Sequence, residues 1–311
     1  MSSKIQKNQI LKKTSYAKIN LFLKILSKRQ DGFHNILSLF QKIDLCDYLY
    51  FKPSSKLEVQ CNVDLGISDS ENIVYKSAVA LNEFTNQNNT VRIEIEKNIP
   101  TQAGLGGGSS NAATTLLTLN ELWNLNLEFD DLLRIAMELG SDVPFFIHDA
   151  PYAMVAGKGN IVLPLENSDD FYYLLVCPKV NVSTANAYSL LCKEYDEKYA
   201  ELETFASTGD IANRIYCLDL LKNIFTEVAF AARDNGINIF LQNDFEEVIF
   251  RLHPELLLLK KELMLLSDDV VIMTGSGSAF FAIFDNLSEA QNAQKKLQGN
   301  LEYQSFIVKQ A

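Results

Sequence analysis

The stretch Ile99-Pro100-Thr101-Gln102-Ala103-Gly104-Leu105-Gly106-Gly107-Gly108-Ser109-Ser110-Asn111-Ala112-Ala113 decides how this chain is read. Gly104, Gly106, Gly107 and Gly108 leave a backbone almost bare of Cβ atoms, with ready access to positive φ. The pattern then turns helical through Leu116, Leu117, Leu119, Leu122 and Trp123, with Ser109 or Ser110 as the expected N-cap. A glycine-rich turn feeding a helix N-terminus aims several N–H donors and the positive end of the helix dipole at one point. A phosphate fits there. The run is not a Walker A loop, because Gly108 meets Ser109 with no lysine between them. Nor is it a dinucleotide fingerprint, since Ser109 stands where the third glycine belongs and Pro100 separates the loop from its strand. A flexible linker is the plain alternative, and a clean strand before the loop and a clean helix after it weigh against that reading.

Working outward, the 311 residues suffice for one large domain or two ordinary ones. At 47% hydrophobic and 22% charged the chain has the composition of a globular protein. A net charge of −11 argues against a general nucleic-acid binder, which needs a basic face. Any phosphate must therefore be held by local geometry. Cys46, Cys61, Cys177, Cys192 and Cys217 form an odd set with no C-x-x-C and fit a reducing compartment. No apolar run reaches the ~18 residues that span a bilayer. Lys4, Lys7, Lys12 and Lys13 are not followed by the apolar core of a signal peptide. A cytoplasmic protein is expected.

Upstream of the loop, Thr14 to Leu26 alternates as a strand, with Ala17, Ile19, Leu21, Leu23 and Ile25 on one face and Lys18, Asn20, Phe22 and Lys24 on the other. For Lys18 and Asn20 the choice is between a solvated strand face and a site. Asp31-Gly32 marks a turn before Phe33-His34, and His34 alone would be a packing or surface histidine. Leu57 to Val63 reads as a strand, Ile73 to Phe84 as a helix and Val91 to Glu96 as a half-buried strand. On local grounds Asn72 and Lys97 are ordinary surface residues.

Downstream, Asp130 to Leu139 is an amphipathic helix with Gly140 as its C′ residue. Asp142, two residues before Pro144, is a simple N-cap or something more. Tyr152 to Ile161 reads as a hairpin, Phe171 to Cys177 as a strand buried on both faces, Leu252 to Leu266 and Ser288 to Leu297 as helices, and Phe306 onward as a last strand. Met273 to Phe284 is a second glycine loop entering a buried strand. The polar, acidic run Lys193–Asp210 reads as a solvated helix face. Mixed strands and helices make the fold α/β or α+β.

The glycine loop resembles the central signature of the GHMP kinases. The run Tyr16 to Leu23, the Asp31-Gly-Phe-His element, Leu39-Phe-Gln and Gly140-Ser-Asp-Val-Pro are similar to the branch that phosphorylates 4-diphosphocytidyl-2-C-methyl-D-erythritol in non-mevalonate isoprenoid synthesis. Asn243-Asp-Phe-Glu and Thr274-Gly-Ser-Gly-Ser resemble further elements, whereas Ala156 departs from an acidic residue common in relatives, and resemblance fails across Lys193–Asp210.

The resemblance implies an α+β, two-domain GHMP kinase fold. Its N-terminal domain, residues 1–167, would be of the ribosomal-protein-S5-like domain 2 type with a left-handed βαβ crossover. Its C-terminal domain, residues 168–311, would be ferredoxin-like. It further implies ATP and Mg²⁺ as cofactors. Pro100, Ala103, Gly104, Leu105, Gly106, Gly107, Gly108, Ser109 and Ser110 would hold the phosphates, with Asn72 and Lys97 around the adenine and its sugar. Asp142 would be the catalytic base and Lys18 the cation beside it. Asn20, Phe33, His34, Thr184, Tyr188, Gly275 and Ser276 would bind the substrate, with Phe33 and Tyr188 sandwiching the cytosine. The partner is a small molecule rather than nucleic acid or membrane, and the protein a monomer or weak homodimer. Two rivals remain: a GHMP kinase for a mevalonate- or homoserine-like alcohol, and a nucleotide-binding regulator without turnover.

Overall fold

The computed structural model describes residues 10–165, 171–191, 241–267, 270–297 and 302–311. The expected domain boundary at 167/168, the acidic run Lys193–Asp210, Cys192 and Cys217 lie outside the described residues. By contact the chain divides into two compact units, one of Met1–Ala17, Leu45–Thr101 and Gly106–Asp149, the other of Lys18–Asp44, Gln102–Leu105 and Ala150–Ala311. Two long paired strands, β1 (Leu11–Lys28) and β2 (His34–Lys52), contribute residues to both.

In the first unit, β3 (Glu58–Cys61), α1 (Ile73–Thr85) and β4 (Arg92–Glu96) form a βαβ element, with β3 parallel to β4 and Val59 opposite Ile93. Strand β4 also runs antiparallel to Tyr48–Lys52 of β2. Helix α1 packs on α2 (Gly107–Leu122) and on α3 (Phe129–Leu139), and α2 packs on the short α4 (Val143–Ile147). The apolar stripes explain this: Val74, Ala78 and Leu81 of α1 and Leu132, Leu133, Ile135 and Ala136 of α3 are buried at helical spacing. Gly140 ends α3 as expected, but in extended backbone (φ 172°) rather than a left-handed turn.

In the second unit, β5 (Tyr152–Gly157) runs antiparallel to Ile36–Gln41 of β2 and pairs with β6 (Ile161–Leu165), the expected hairpin. After β7 (Tyr172–Pro178) come α5 (Thr184–Leu190), α6 (Phe245–Leu252), α7 (Pro254–Met264), β8 (Val271–Met273), β9 (Phe280–Phe284), α8 (Leu287–Leu297) and β10 (Tyr303–Val308). The four strands make an antiparallel sheet in the order β10–β7–β9–β8. Its Leu174, Val176, Phe280 and Ala282 share one core with Ile249, Leu263, Ala290 and Leu297 of the helices. The expected helix Leu252–Leu266 is present as Pro254–Met264; it starts two residues late because Pro254 takes the first-turn position after His253, and Leu252 ends the helix before it.

Two glycine loops meet inside this unit. Gly104 has φ 78°, and a Cβ there would stand 2.3 Å from the Thr274 carbonyl oxygen. Gly275 has φ 58°, and its Cβ would stand 3.0 Å from Gly104 Cα. The Ala279 N–H donates to the Ala103 carbonyl at 3.3 Å. Backbone thus packs on backbone, which only glycine allows. Gly104→Ala should lose about 2–5 kcal/mol of stability, combining left-handed strain with overpacking. Gly66→Ala, with φ 66° and nothing within 4 Å of the added Cβ, should lose only the strain, about 1–2 kcal/mol. Urea unfolding measures both, and equal losses would contradict the loop contact.

Candidate active site

Helix α2 begins earlier than its serines predicted. Gly106 is the N-cap, in the left-handed conformation (φ 66°, ψ 13°), and it offers no capping side chain. Ser110 N–H makes the first helical bond, to the Gly106 carbonyl at 2.9 Å. Ser109 and Ser110 therefore lie within the first turn and are not caps. The N–H groups of Gly107, Gly108 and Ser109 have no acceptor inside the helix. Gly108 is exposed, and a Cβ there would meet nothing nearer than Ile73 Cγ2 at 3.8 Å. Gly107 is buried in helical backbone, where a Cβ would stand 2.9 Å from Ile99 Cγ2 and 3.0 Å from Lys97 Nζ. The Ser110 hydroxyl accepts from Ser15 Oγ at 2.7 Å.

A buried carboxylate shapes the chain entering this loop. Asp47 accepts from Asn98 N–H and Ile99 N–H at Oδ1, both 2.8 Å, and from Asn111 Nδ2 at Oδ2, 2.9 Å. Lys97 Nζ lies 2.7 Å from Asp47 Oδ2 and donates to the Ile99 carbonyl at 2.7 Å. Both side chains of the ion pair are buried. Lys97 is thus not the surface residue that local reasoning made it. Asn72 is not one either: it is buried and caps α1, its Oδ1 accepting from Val74 N–H at 3.0 Å.

Asp142 occupies the N-cap position of α4 yet makes no side-chain cap bond, so the capping alternative is not realised. It is half-buried. The neighbouring Val143, Pro144, Phe145 and Phe146 are buried, which fixes the backbone that carries its carboxylate.

In the second unit, the solvated-face alternative for β1 is overturned: Lys18 and Asn20 are 3% and 2% exposed. Lys18 Nζ donates to Asn20 Oδ1 at 2.6 Å and to the Gly104 carbonyl at 2.9 Å, and lies 4.8 Å from the centre of the Phe40 ring. The Lys18 N–H also bonds to the Leu105 carbonyl at 3.0 Å. Thr184 and Ser276 share a hydroxyl–hydroxyl bond of 2.7 Å. The His34 ring stacks on Tyr188 with centroids 5.0 Å apart and planes 17° from parallel, and Tyr188 meets Phe245 edge-on. His34 Nδ1 is buried with no partner among the described residues. Burial, aided by the charge of Lys28, holds the His34 pKa below the usual value, so its ring is neutral at pH 7. Phe33 is half exposed, its ring 5.2 Å from Lys158 Nζ.

Sequence reasoning did not single out Asp47 and Ser38, while Asn111, Thr274 and Asn243 lie within the motif stretches but were given no individual bonding role there. Asn243 donates to the Met273 and Gly275 carbonyls at 2.5 and 2.7 Å, clamping the second glycine loop. The one available signal was a polar residue inside an otherwise apolar strand pattern, as with Ser38 and Asp47 in β2.

A family model of the GHMP kinases N terminal domain matches residues 72–150, and one of the GHMP kinases C terminal domain matches residues 220–302. The chain is 38% identical to the 4-diphosphocytidyl-2-C-methyl-D-erythritol kinase of Thermodesulfovibrio yellowstonii, covering 92% of this chain and 93% of that one. It is 37% identical to the enzyme of the same name from Prochlorococcus marinus, over 94% and 91% of the two chains. A crystal structure of 4-(cytidine 5'-diphospho)-2C-methyl-D-erythritol kinase superposes with a TM-score of 0.73 at 28% identity, covering 97% of this chain and 100% of that one. The fold and the glycine loops are those of a small-molecule kinase. The chain belongs to the GHMP kinases, and within them to the 4-diphosphocytidyl-2-C-methyl-D-erythritol kinase family. The non-catalytic regulator is thereby set aside.

Removing Asp47 tests the clamp. Asp47→Ala leaves Lys97 buried without its counter-charge and should cost about 3–5 kcal/mol. Asp131→Ala, which breaks the exposed 3.5 Å pair with Arg134, should cost less than about 1 kcal/mol. Denaturant unfolding of the two variants provides the comparison, and a small loss for Asp47→Ala would remove the clamp from the account.

Proposed function

We propose that the protein transfers the γ-phosphoryl group of MgATP to the 2-hydroxyl of 4-diphosphocytidyl-2-C-methyl-D-erythritol, giving the 2-phosphate and ADP in non-mevalonate isoprenoid synthesis. Membership of the kinase family named for that substrate supports the reading. The observation within the chain that carries it is His34: a buried ring nitrogen without a described partner, neutral, beside the Tyr188 ring. A nucleobase edge supplies hydrogen-bonding groups of the kind such a nitrogen lacks, and Phe33 and Tyr188 supply flat faces for stacking.

Phosphoryl transfer depends on positioning and charge neutralisation. In this reading the N–H groups from Gly106 to Ser110 hold the β- and γ-phosphates, and Asp142 takes the proton of the attacking hydroxyl as its oxygen bonds to phosphorus and the bond to ADP breaks. Lys18 offsets the charge on the transferred group. Among the described residues no three His, Cys, Asp or Glu side chains cluster as a metal site. Mg²⁺ accompanying the nucleotide would offset the charge of its phosphates. Asn72 and Lys97 flank the adenosine half, the latter through its backbone or its stem, since its ammonium is engaged by Asp47. Thr184, Gly275 and Ser276 border the substrate's sugar and diphosphate. We retain residues 1–167 and 168–311 as the two domains and read the protein as a cytoplasmic monomer or weak homodimer. Cys46, Cys61 and Cys177 are free thiols, and burial pushes the Cys177 thiol up to about 12. No described helix is long and apolar enough to cross a membrane.

A coupled assay of ADP release should show turnover with the cytidine substrate and little with mevalonate or homoserine. His34→Ala should weaken use of the cytidine substrate by about 1–3 kcal/mol in kcat/KM, the scale of an unpaired polar group, with the KM for ATP nearly unchanged. Turnover of mevalonate or homoserine in preference to the cytidine compound would overturn the substrate assignment.

A further inference from the structure

The amide of Asn20 is held in one orientation by partners at both of its ends. Ser38 Oγ donates its single proton to the Phe22 carbonyl, which can only accept. Ser38 therefore turns a lone pair toward Asn20 and accepts from Nδ2 at 2.9 Å. At the other end Lys18 Nζ has only protons to offer, so the atom facing it at 2.6 Å must be Oδ1. Thr274 completes the arrangement. Its Oγ1 accepts from the Asn20 backbone N–H at 2.9 Å and donates to Asn20 Oδ1 at 3.2 Å. Lys18, Asn20, Ser38 and Thr274 are all buried, the last two at 0% exposure.

We propose that Thr274 and Ser38 are positioning residues for phosphoryl transfer, which fix the Asn20 amide and through it hold the Lys18 ammonium against the Gly104 carbonyl at the phosphate loop. The inference rests on the reading of Lys18 as the cation beside the transferred group, and gives Asn20 the task of orienting that cation. A lysine side chain has four rotatable bonds and no directional preference of its own. Anchored on Asn20 Oδ1 and the Gly104 carbonyl, it keeps one place before nucleotide arrives. With Ser38 or Thr274 truncated, the amide keeps Oδ1 toward the ammonium but loses one of its anchors, so it can tilt and carry the ammonium away from the Gly104 carbonyl. Neither hydroxyl need touch a ligand for the loss to be felt in catalysis. Thr274 also reaches the loop by its backbone, since its carbonyl oxygen is the atom that excludes a Cβ at Gly104, so only its hydroxyl is at issue.

Thr274→Val keeps the shape of the side chain and deletes the hydroxyl, while Thr274→Ser keeps the hydroxyl. Steady-state kinetics should show kcat lowered at least about tenfold for Thr274→Val and for Ser38→Ala, the scale of a misplaced catalytic group. The KM for ATP and for the cytidine substrate should stay within about twofold, because the lost interaction acts in the transition state. Thr274→Ser should recover most of kcat. The two truncations act on opposite ends of one amide, so a soluble form of either is sufficient for the test. Native kcat in a truncated variant, or equal losses for Thr274→Val and Thr274→Ser, overturns the proposal. So does a rise in both KM values with kcat preserved. Lys18→Ala separates the two readings: if it retains native kcat, the catalytic assignment of Lys18 fails first and the relay falls with it; if it loses kcat while the truncations do not, the relay alone fails.

Discussion

Gly104 and Gly275 have no Cβ, and this lets two loops more than 160 residues apart in sequence press backbone against backbone. Several features of the second unit follow from that contact. The Gly104 carbonyl is turned to accept from Lys18, and Thr274 stands where its hydroxyl can bond Asn20. Asn243 secures the other side of the second loop through the Met273 and Gly275 carbonyls. A side chain at either glycine would have to move backbone atoms, which cannot rotate away as a flexible side chain can.

The first unit uses a different device for the same loop. Asp47 is a charge with no exposure, and it is tolerable because Lys97, two backbone N–H groups and Asn111 surround it. The arrangement fixes Lys97 to Ile99 and ties them to α2 four residues past Gly107. A buried ion pair is weak support for stability in general, since desolvation offsets much of the attraction. Here its value is geometric, because it sets where the chain stands on entering the glycines.

Much of this was legible in the sequence. Alternation in β1 placed Lys18 and Asn20 on one strand face, and the glycine run announced a helix N-terminus. The burial of both polar residues was not legible, because Thr274, which covers Asn20, lies 254 positions away. The helix start was misjudged for a local reason. Ser109 and Ser110 are good capping types, but a left-handed Gly106 starts the helix without a side chain, leaving Gly107 and Gly108 in its first turn. Local propensity likewise called Asn72 and Lys97 surface residues, since nothing near Lys97 in sequence reveals a carboxylate 50 positions upstream. The helix expected from Leu252 starts instead at Pro254, whose fixed φ and missing N–H suit a first helical position.

The central claim is that ATP phosphates lie on the N–H groups at the start of α2. Gly108 is the position that isolates it, since an added Cβ finds open space in the protein and would stand where a phosphate must approach. Calorimetric titration of MgATP into native protein and Gly108→Ala, with thermal unfolding of both, measures it directly. The account expects near-native unfolding and affinity weaker by at least about tenfold, or about 1.4 kcal/mol. Native affinity in a variant that folds normally would contradict it.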